Sequence, residues 1–146
     1  PGVTGMDGRA LHELADEVAL QLPVAELTHP FGPEWDVYKV VGKIFMLRSR
    51  LPDHGAKDVD ARGGTRIIVL KADPGDVHAL QRAHPFVFPG YHLNKKPWLT
   101  VVAPGEAADG DDFRQLVREL VTDSYRNVVL GLPKAKRPVD PMDFGS

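Results

Sequence analysis

The chain reads as a single α+β domain: an antiparallel sheet of about four or more strands with helices packed on one face. Three observations carry that reading. Two stretches repeat apolar residues at helical spacing, Leu11-Leu14-Ala15-Val18-Leu22 and Phe113-Leu116-Val117-Leu120-Val121-Ser124-Val128-Val129. Between them lie short runs rich in β-branched and aromatic residues, mostly joined by short connections, which favour antiparallel pairing. The length, 146 residues, is that of one domain able to bury a core without staples, and there is no cysteine to supply any.

Residues 1–5 form a loose lead-in. Asp7 is placed to cap the first helix, with Met6 and Leu11 as the apolar staple around it. Glu13, Asp16 and Glu17 take the opposite side, and Pro23 stops the run. Residues 28–35 hold two prolines and a glycine, so they form a shaped loop. Residues 37–41 and 44–47 are strands, and Gly42-Lys43 between them suits a type II′ turn. Residues 50–65 are polar and glycine-rich and read as a long loop; residues 66–71 are a third strand. Asp73-Pro74 opens a short helix whose inner face is Val77 and Leu80. Residues 98–102 are a fourth strand. Asp109 caps the last helix and Pro133 ends it, so the domain spans 1–133 and residues 134–146 are expected to trail as a flexible tail. The sheet face away from the helices is expected to stay open to solvent or a partner. Tyr38, Lys39, Lys43, Lys71, Trp98 and Thr100 are its candidate lining or rim, although strand alternation keeps them from sharing one side.

Net charge is −2, which argues against a nonspecific nucleic-acid coat, but the charge is unevenly spread. Residues 1–36 hold seven acids and one base, residues 37–100 hold eleven bases and five acids, and residues 101–146 hold eight acids and six bases. The sheet-bearing middle is basic. Either it builds a local positive face or the acidic flanks fold back and neutralise it. No apolar run approaches the roughly 18 residues of a membrane span, so no membrane role is expected and the cytoplasm is the expected compartment.

Catalytic and metal signatures are sparse. His12, His29, His54, His78, His84 and His92 make no His-x-x-x-His pair, and the acids near His54 have no metal-site framework, so no metal is expected. Ser124 sits on a helical stripe without a nucleophile elbow. Arg62-Gly63-Gly64-Thr65 is too short for a phosphate loop and precedes a strand. Asp111-Asp112 and Asp58-x-Asp60 suit capping and solvation. No catalytic residue and no cofactor are assigned.

The densest chemistry lies in residues 89–98, where Tyr91, His92 and Trp98 offer ring faces and Asn94, Lys95 and Lys96 offer polar handles after a Pro89-Gly90 turn. Rings beside fixed positive charge suit a phosphate-bearing or planar ligand. A tight turn whose rings anchor a strand while its lysines face water accounts for the same residues.

This stretch also carries a resemblance. His29-Pro30-Phe31-Gly32-Pro33-Glu34-Trp35-Asp36 leads into a strand, a Gly42-Lys43 turn and a second strand; then come Pro89-Gly90-Tyr91-His92-x-Asn94-Lys95-x-x-Trp98, Ser124-Tyr125 in the last helix, and Leu132-Pro133-Lys134. In that order, over residues 11–137, these segments resemble the YjbR/MmcQ family. The 50–65 connection is longer than the family's usual one. The resemblance implies a CyaY-like α+β fold and DNA binding. The expected function is therefore noncatalytic, weak and salt-dependent DNA binding, with phosphates contacted through Lys39, Lys43, Lys71, Lys95 and Lys96. Tyr91, His92, Asn94 and Trp98 stand nearby, and Phe31, Gly32, Pro33, Pro89 and Gly90 shape the loops. The alternative is a module that binds a protein or small ligand through residues 91–98, with no nucleic acid.

Overall fold

The structure is a computed structural model, and it describes residues 6–56, 58–90, 97–105 and 109–144. The elements run α1 (Gly8–Leu20), β1 (Ala25–Thr28), β2 (Asp36–Val40), β3 (Lys43–Arg50), β4 (Arg66–Lys71), α2 (Pro74–Ala83), β5 (Val87–Pro89), β6 (Trp98–Val102) and α3 (Gly110–Leu130). The sheet is six-stranded in the order β1-β2-β3-β4-β6-β5, and every pairing is antiparallel. The α+β fold read from the sequence is the fold observed.

The helix starts follow from their caps. Asp7, Asp73 and Asp109 each accept a backbone N–H of the first turn of α1, α2 and α3. Met6 and Leu11 are both buried, as the staple requires. Two strands escape the sequence pattern, β1 and β5. Both are edge strands, four and three residues long, and β5 ends on Pro89, which an edge tolerates because no partner needs its missing N–H.

The β2–β3 turn is not the Gly42-Lys43 turn expected. Val40 pairs with Lys43, so the two central residues are Val41 and Gly42, with φ of 48° and 77°. Two left-handed residues make a type I′ turn, whose twist matches the flanking strands. Glycine accepts that backbone freely, whereas a β-branched valine is strained by it.

Cross-strand partners share a face, so the register assigns both sides of the sheet. Tyr38, Met46, Leu70 and Leu99 form one set of neighbours. This face meets the helices: the Tyr38 hydroxyl donates to Asp16 of α1, and a bulge turns Phe45 to within 5.5 Å of the Tyr125 ring of α3. Val37, Leu47, Val69 and Thr100 form the opposite set, and each is at most 1% exposed. The second face is therefore not open to solvent, contrary to expectation, and Tyr38 and Thr100 are core residues. Ser49 on this side donates to the Glu34 carbonyl, which ties the 29–35 loop to it.

The 50–65 connection has structure of its own. Leu51 N–H donates to Thr65, Gly64 N–H donates to Leu51, and Ala56 bridges to Val59, which is buried. Residues 134–144 do not form the flexible tail expected. After a 3-10 turn at Lys134–Lys136, Arg137 donates to the Leu130 and Leu132 carbonyls. Leu130 ends α3 and Leu132 follows just past its cap, where carbonyls lack helical partners. Arg126 then donates to the Pro141 carbonyl, and Phe144 packs 5.5 Å from Tyr125. One arginine meeting orphaned carbonyls and one aromatic meeting the core hold the segment down.

Candidate functional site

At the hairpin end of the sheet, β2 finishes, β3 begins, β4 finishes at Lys71 and β6 begins at Trp98, directly opposite Lys71. The paired strands β3 and β4 part at Met46–Leu70, leaving the Phe45 carbonyl and the Lys71 N–H without each other. Ser124 of α3 fills the gap. Fully buried, its hydroxyl donates to the Phe45 carbonyl and accepts from the Lys71 N–H at 2.8 Å. The chemistry of this serine is thus structural, and it fixes the backbone that carries Lys71.

Around that point lies a groove of about 470 Å³ lined by Gly42, Lys43, Ile44, Lys71, Trp98, Val128, Gly131 and Leu132. Lys43 is exposed, while Lys71 and Trp98 are half-buried. Gly90 permits the close approach of β6: its N–H donates to the Trp98 carbonyl, and a β-carbon there would lie 2.6 Å from the Trp98 Cβ. The structure therefore brings together three of the sequence candidates, Lys43, Lys71 and Trp98. Lys39 stands apart on β2, with Glu26 opposite it on β1. The Pro89 carbonyl accepts from the Thr100 hydroxyl. Tyr91, His92, Asn94, Lys95 and Lys96 lie outside the described residues.

The Phe31-Gly32-Pro33 loop sits beside the other end of the sheet. Phe31 is exposed, Gly32 takes a φ of 99°, and Pro33 borders a second, larger cleft of about 700 Å³. Pro33 and Trp98 are thus at opposite ends of the strands. His12 of α1, Trp35, Asp36, Arg48 and Arg50 also line this cleft, none of them singled out from the sequence as site residues. Arg48 donates through two nitrogens to Asp36 Oδ2, at 2.6 and 2.8 Å, and through a third to the His12 carbonyl. His29 donates to Asp36 Oδ1 at 2.8 Å. Burial works against ionisation of Asp36, but the hydrogen bonds from Arg48 and His29 outweigh it and hold its carboxyl below the usual range. His12 Nε2–H donates to the Ile67 carbonyl at 2.9 Å. Burial lowers the His12 pKa to about 4, with Arg48 and Arg66 adding repulsion and the Ile67 bond opposing it. The signal for this network was a cation at Arg48 directly after the apolar run 44–47 of β3. Its partners lie 12 and 36 residues away, so no local motif announces them.

Among the described residues no cluster of metal-ligating side chains occurs, and no helix is long and apolar enough to cross a membrane. The chain is 45% identical over 129 residues to the uncharacterized protein YbdF of Escherichia coli O157:H7, covering 88% of this chain and 93% of that one. Among solved structures it is similar to Deinococcus radiodurans protein DR2400, which carries the domain DUF419, with TM-score 0.65 and 32% identity over 96% of this chain and 94% of that one. A Pseudomonas syringae protein shares the fold at TM-score 0.59 and 24% identity, over 77% of this chain and 93% of that one. The YjbR family model matches residues 20–127, the stretch that holds the sheet and most of α3, and with that match the chain belongs to the YjbR family.

Proposed function

We propose that this protein is a noncatalytic DNA-binding protein that contacts phosphates at the hairpin end of its sheet. The observation that carries the reading is the groove shared by Lys43, Lys71 and Trp98. Two ammonium groups beside an indole offer charge to a phosphate and a face to a base. Lysine contacts of this kind position a nucleic acid without reading its sequence. Binding is accordingly weak, little dependent on sequence, and dominated by charge.

Titration of labelled duplex DNA at several salt concentrations tests this. Each phosphate neutralised contributes about −0.9 to the slope of log affinity against log salt, so Lys43 and Lys71 alone give a slope near −2, and four or five lysines about −4. The double variant Lys43→Gln, Lys71→Gln should flatten the slope by about 2. Absence of binding at low salt, or binding indifferent to salt, refutes the proposal.

One observation favours a second reading. The groove's remaining side chains, Ile44, Val128 and Leu132, are apolar. A module for a small apolar ligand or a protein side chain would use that floor, and its affinity would respond little to salt.

A further inference from the structure

The hairpin groove leaves the larger cleft at the far end of the sheet without a role. We infer that this cleft binds a small phosphate-bearing ligand with a flat ring that carries an N–H, a nucleoside monophosphate being the simplest member of that class.

The argument begins at His12. A carbonyl can only accept, so the bond to Ile67 fixes the proton on Nε2 and leaves Nδ1 as an acceptor. His12 makes no other side-chain hydrogen bond. Among the described residues no buried side-chain nitrogen or oxygen lacks a partner. The Nδ1 lone pair of a residue only 8% exposed therefore opens outward, onto the cleft that His12 lines. It asks for a donor, and an N–H at the edge of a heterocycle is one.

The second observation is a pair of like charges. Arg50 and Arg66 stand directly opposite each other at the ends of β3 and β4. Neither makes an ion pair or side-chain hydrogen bond among the described residues. Like charges in this position destabilise a sheet; Arg50 lines the cleft while the Arg66 stem lies beside Gly8 of α1, so an anion in the cleft meets Arg50 and eases the repulsion from that side. Arg48 cannot serve the same purpose, because Asp36 already holds its guanidinium.

Size and rim charge narrow the ligand. A volume of about 700 Å³ falls within the range of small-molecule sites, and the Trp35 side chain supplies an apolar wall for a ring. Glu34 and Asp53 also line the cleft, and both are exposed. Their carboxylates repel a polyanion far more than a single phosphate. This site is therefore distinct from the hairpin groove in both place and ligand.

Calorimetric titration of the whole chain with AMP, GMP, CMP, UMP and inorganic phosphate tests the inference. At least one nucleotide should bind with a Kd of about 1 mM or tighter, and inorganic phosphate should bind more weakly. Arg50→Ala, an exposed change, should weaken nucleotide binding about tenfold. His12→Gln, which keeps a donor towards Ile67 but no longer places an acceptor at the Nδ1 position, should also weaken it, and in the unaltered protein the His12 Nδ1 nitrogen resonance should move on binding. Arg118→Gln, an exposed change on α3 that lines neither the cleft nor the hairpin groove, should leave nucleotide affinity unchanged. No nucleotide binding up to about 5 mM, phosphate binding as tight as every nucleotide, or affinity unaffected by Arg50→Ala would overturn it.

Discussion

Ser124→Ala is the substitution whose cost the structure defines most sharply. The change removes one oxygen atom from a site with no exposure and alters little else in volume. Two backbone groups lose their partner together, the Phe45 carbonyl and the Lys71 N–H, at the point where β3 and β4 no longer bond each other. Leaving a buried polar group unpaired costs about 1–3 kcal/mol, so the pair sets an expected loss of about 2–6 kcal/mol. Ser49→Ala is the internal control. Its hydroxyl makes a single bond, to the Glu34 carbonyl, and its loss should cost about 1 kcal/mol. Urea unfolding followed by circular dichroism measures both. With a slope of about 2 kcal/mol per molar urea, Ser124→Ala should lower the midpoint by roughly 1–3 M and Ser49→Ala by about 0.5 M. A loss for Ser124→Ala below about 0.5 kcal/mol, or equal to that of Ser49→Ala, would refute the bridging role. It would mean that water or a local shift restores the two bonds.

Three further outcomes follow from the same geometry. Val41→Asn should stabilise the protein by about 1 kcal/mol in the same urea assay, because asparagine tolerates the left-handed φ of 48° at the first central position of a type I′ turn. Trp98→Ala should cost about 2 kcal/mol, below the full core value because the ring is half-buried, while Lys43→Ala stays within about 0.5 kcal/mol; equal melts for all three proteins would place the ring in solvent. His12 titrates near 4 when folded and near 6.5 when unfolded, so its neutral form contributes stability that is fully present above pH 6.5 and lost as the pH falls towards 4. His12→Gln should flatten the stability profile across that window, and an imidazole resonance titrating near 6.5 in the folded protein would contradict the assignment.

The fold was legible wherever one residue's role depends on its near neighbours. The stripes of α1 and α3, the three aspartate caps and the four inner strands all follow from spacing within a few positions. Legibility ends where a role depends on distant partners. The edge strands β1 and β5 each gain hydrogen bonds from a single neighbour and need no apolar alternation to do so. The turn between β2 and β3 was read one residue too late, because a valine at positive φ is locally unfavourable and only the registers on either side enforce it. Residues 134–144 looked like a tail because neither Arg137 nor Phe144 reveals in sequence the carbonyls and the ring that receive it.

The two candidate sites divide along the same line. Lys43, Lys71 and Trp98 could be named singly from charge and aromaticity, yet their meeting rests on the Lys71–Trp98 pairing and on a hairpin that brings Lys43 back to the same end of the sheet. The far cleft depends wholly on long-range placement. His12 is one position along from Leu11 on a helix whose apolar stripe accounts for its neighbours, and Arg50 looks like an ordinary strand terminus until Arg66 is found opposite. What distinguishes that cleft is unused capacity, an acceptor without a donor at His12 and a cation without an anion at Arg50. Capacity of this kind is a property of the folded arrangement, since a hydrogen-bond inventory can be closed only once every partner's position is known. The hairpin groove has no such deficit, because its lysines reach water and its backbone bonds are completed by Ser124. A ligand in the cleft would therefore raise the stability of the fold by completing it, whereas DNA at the groove would act chiefly through charge and be displaced by salt.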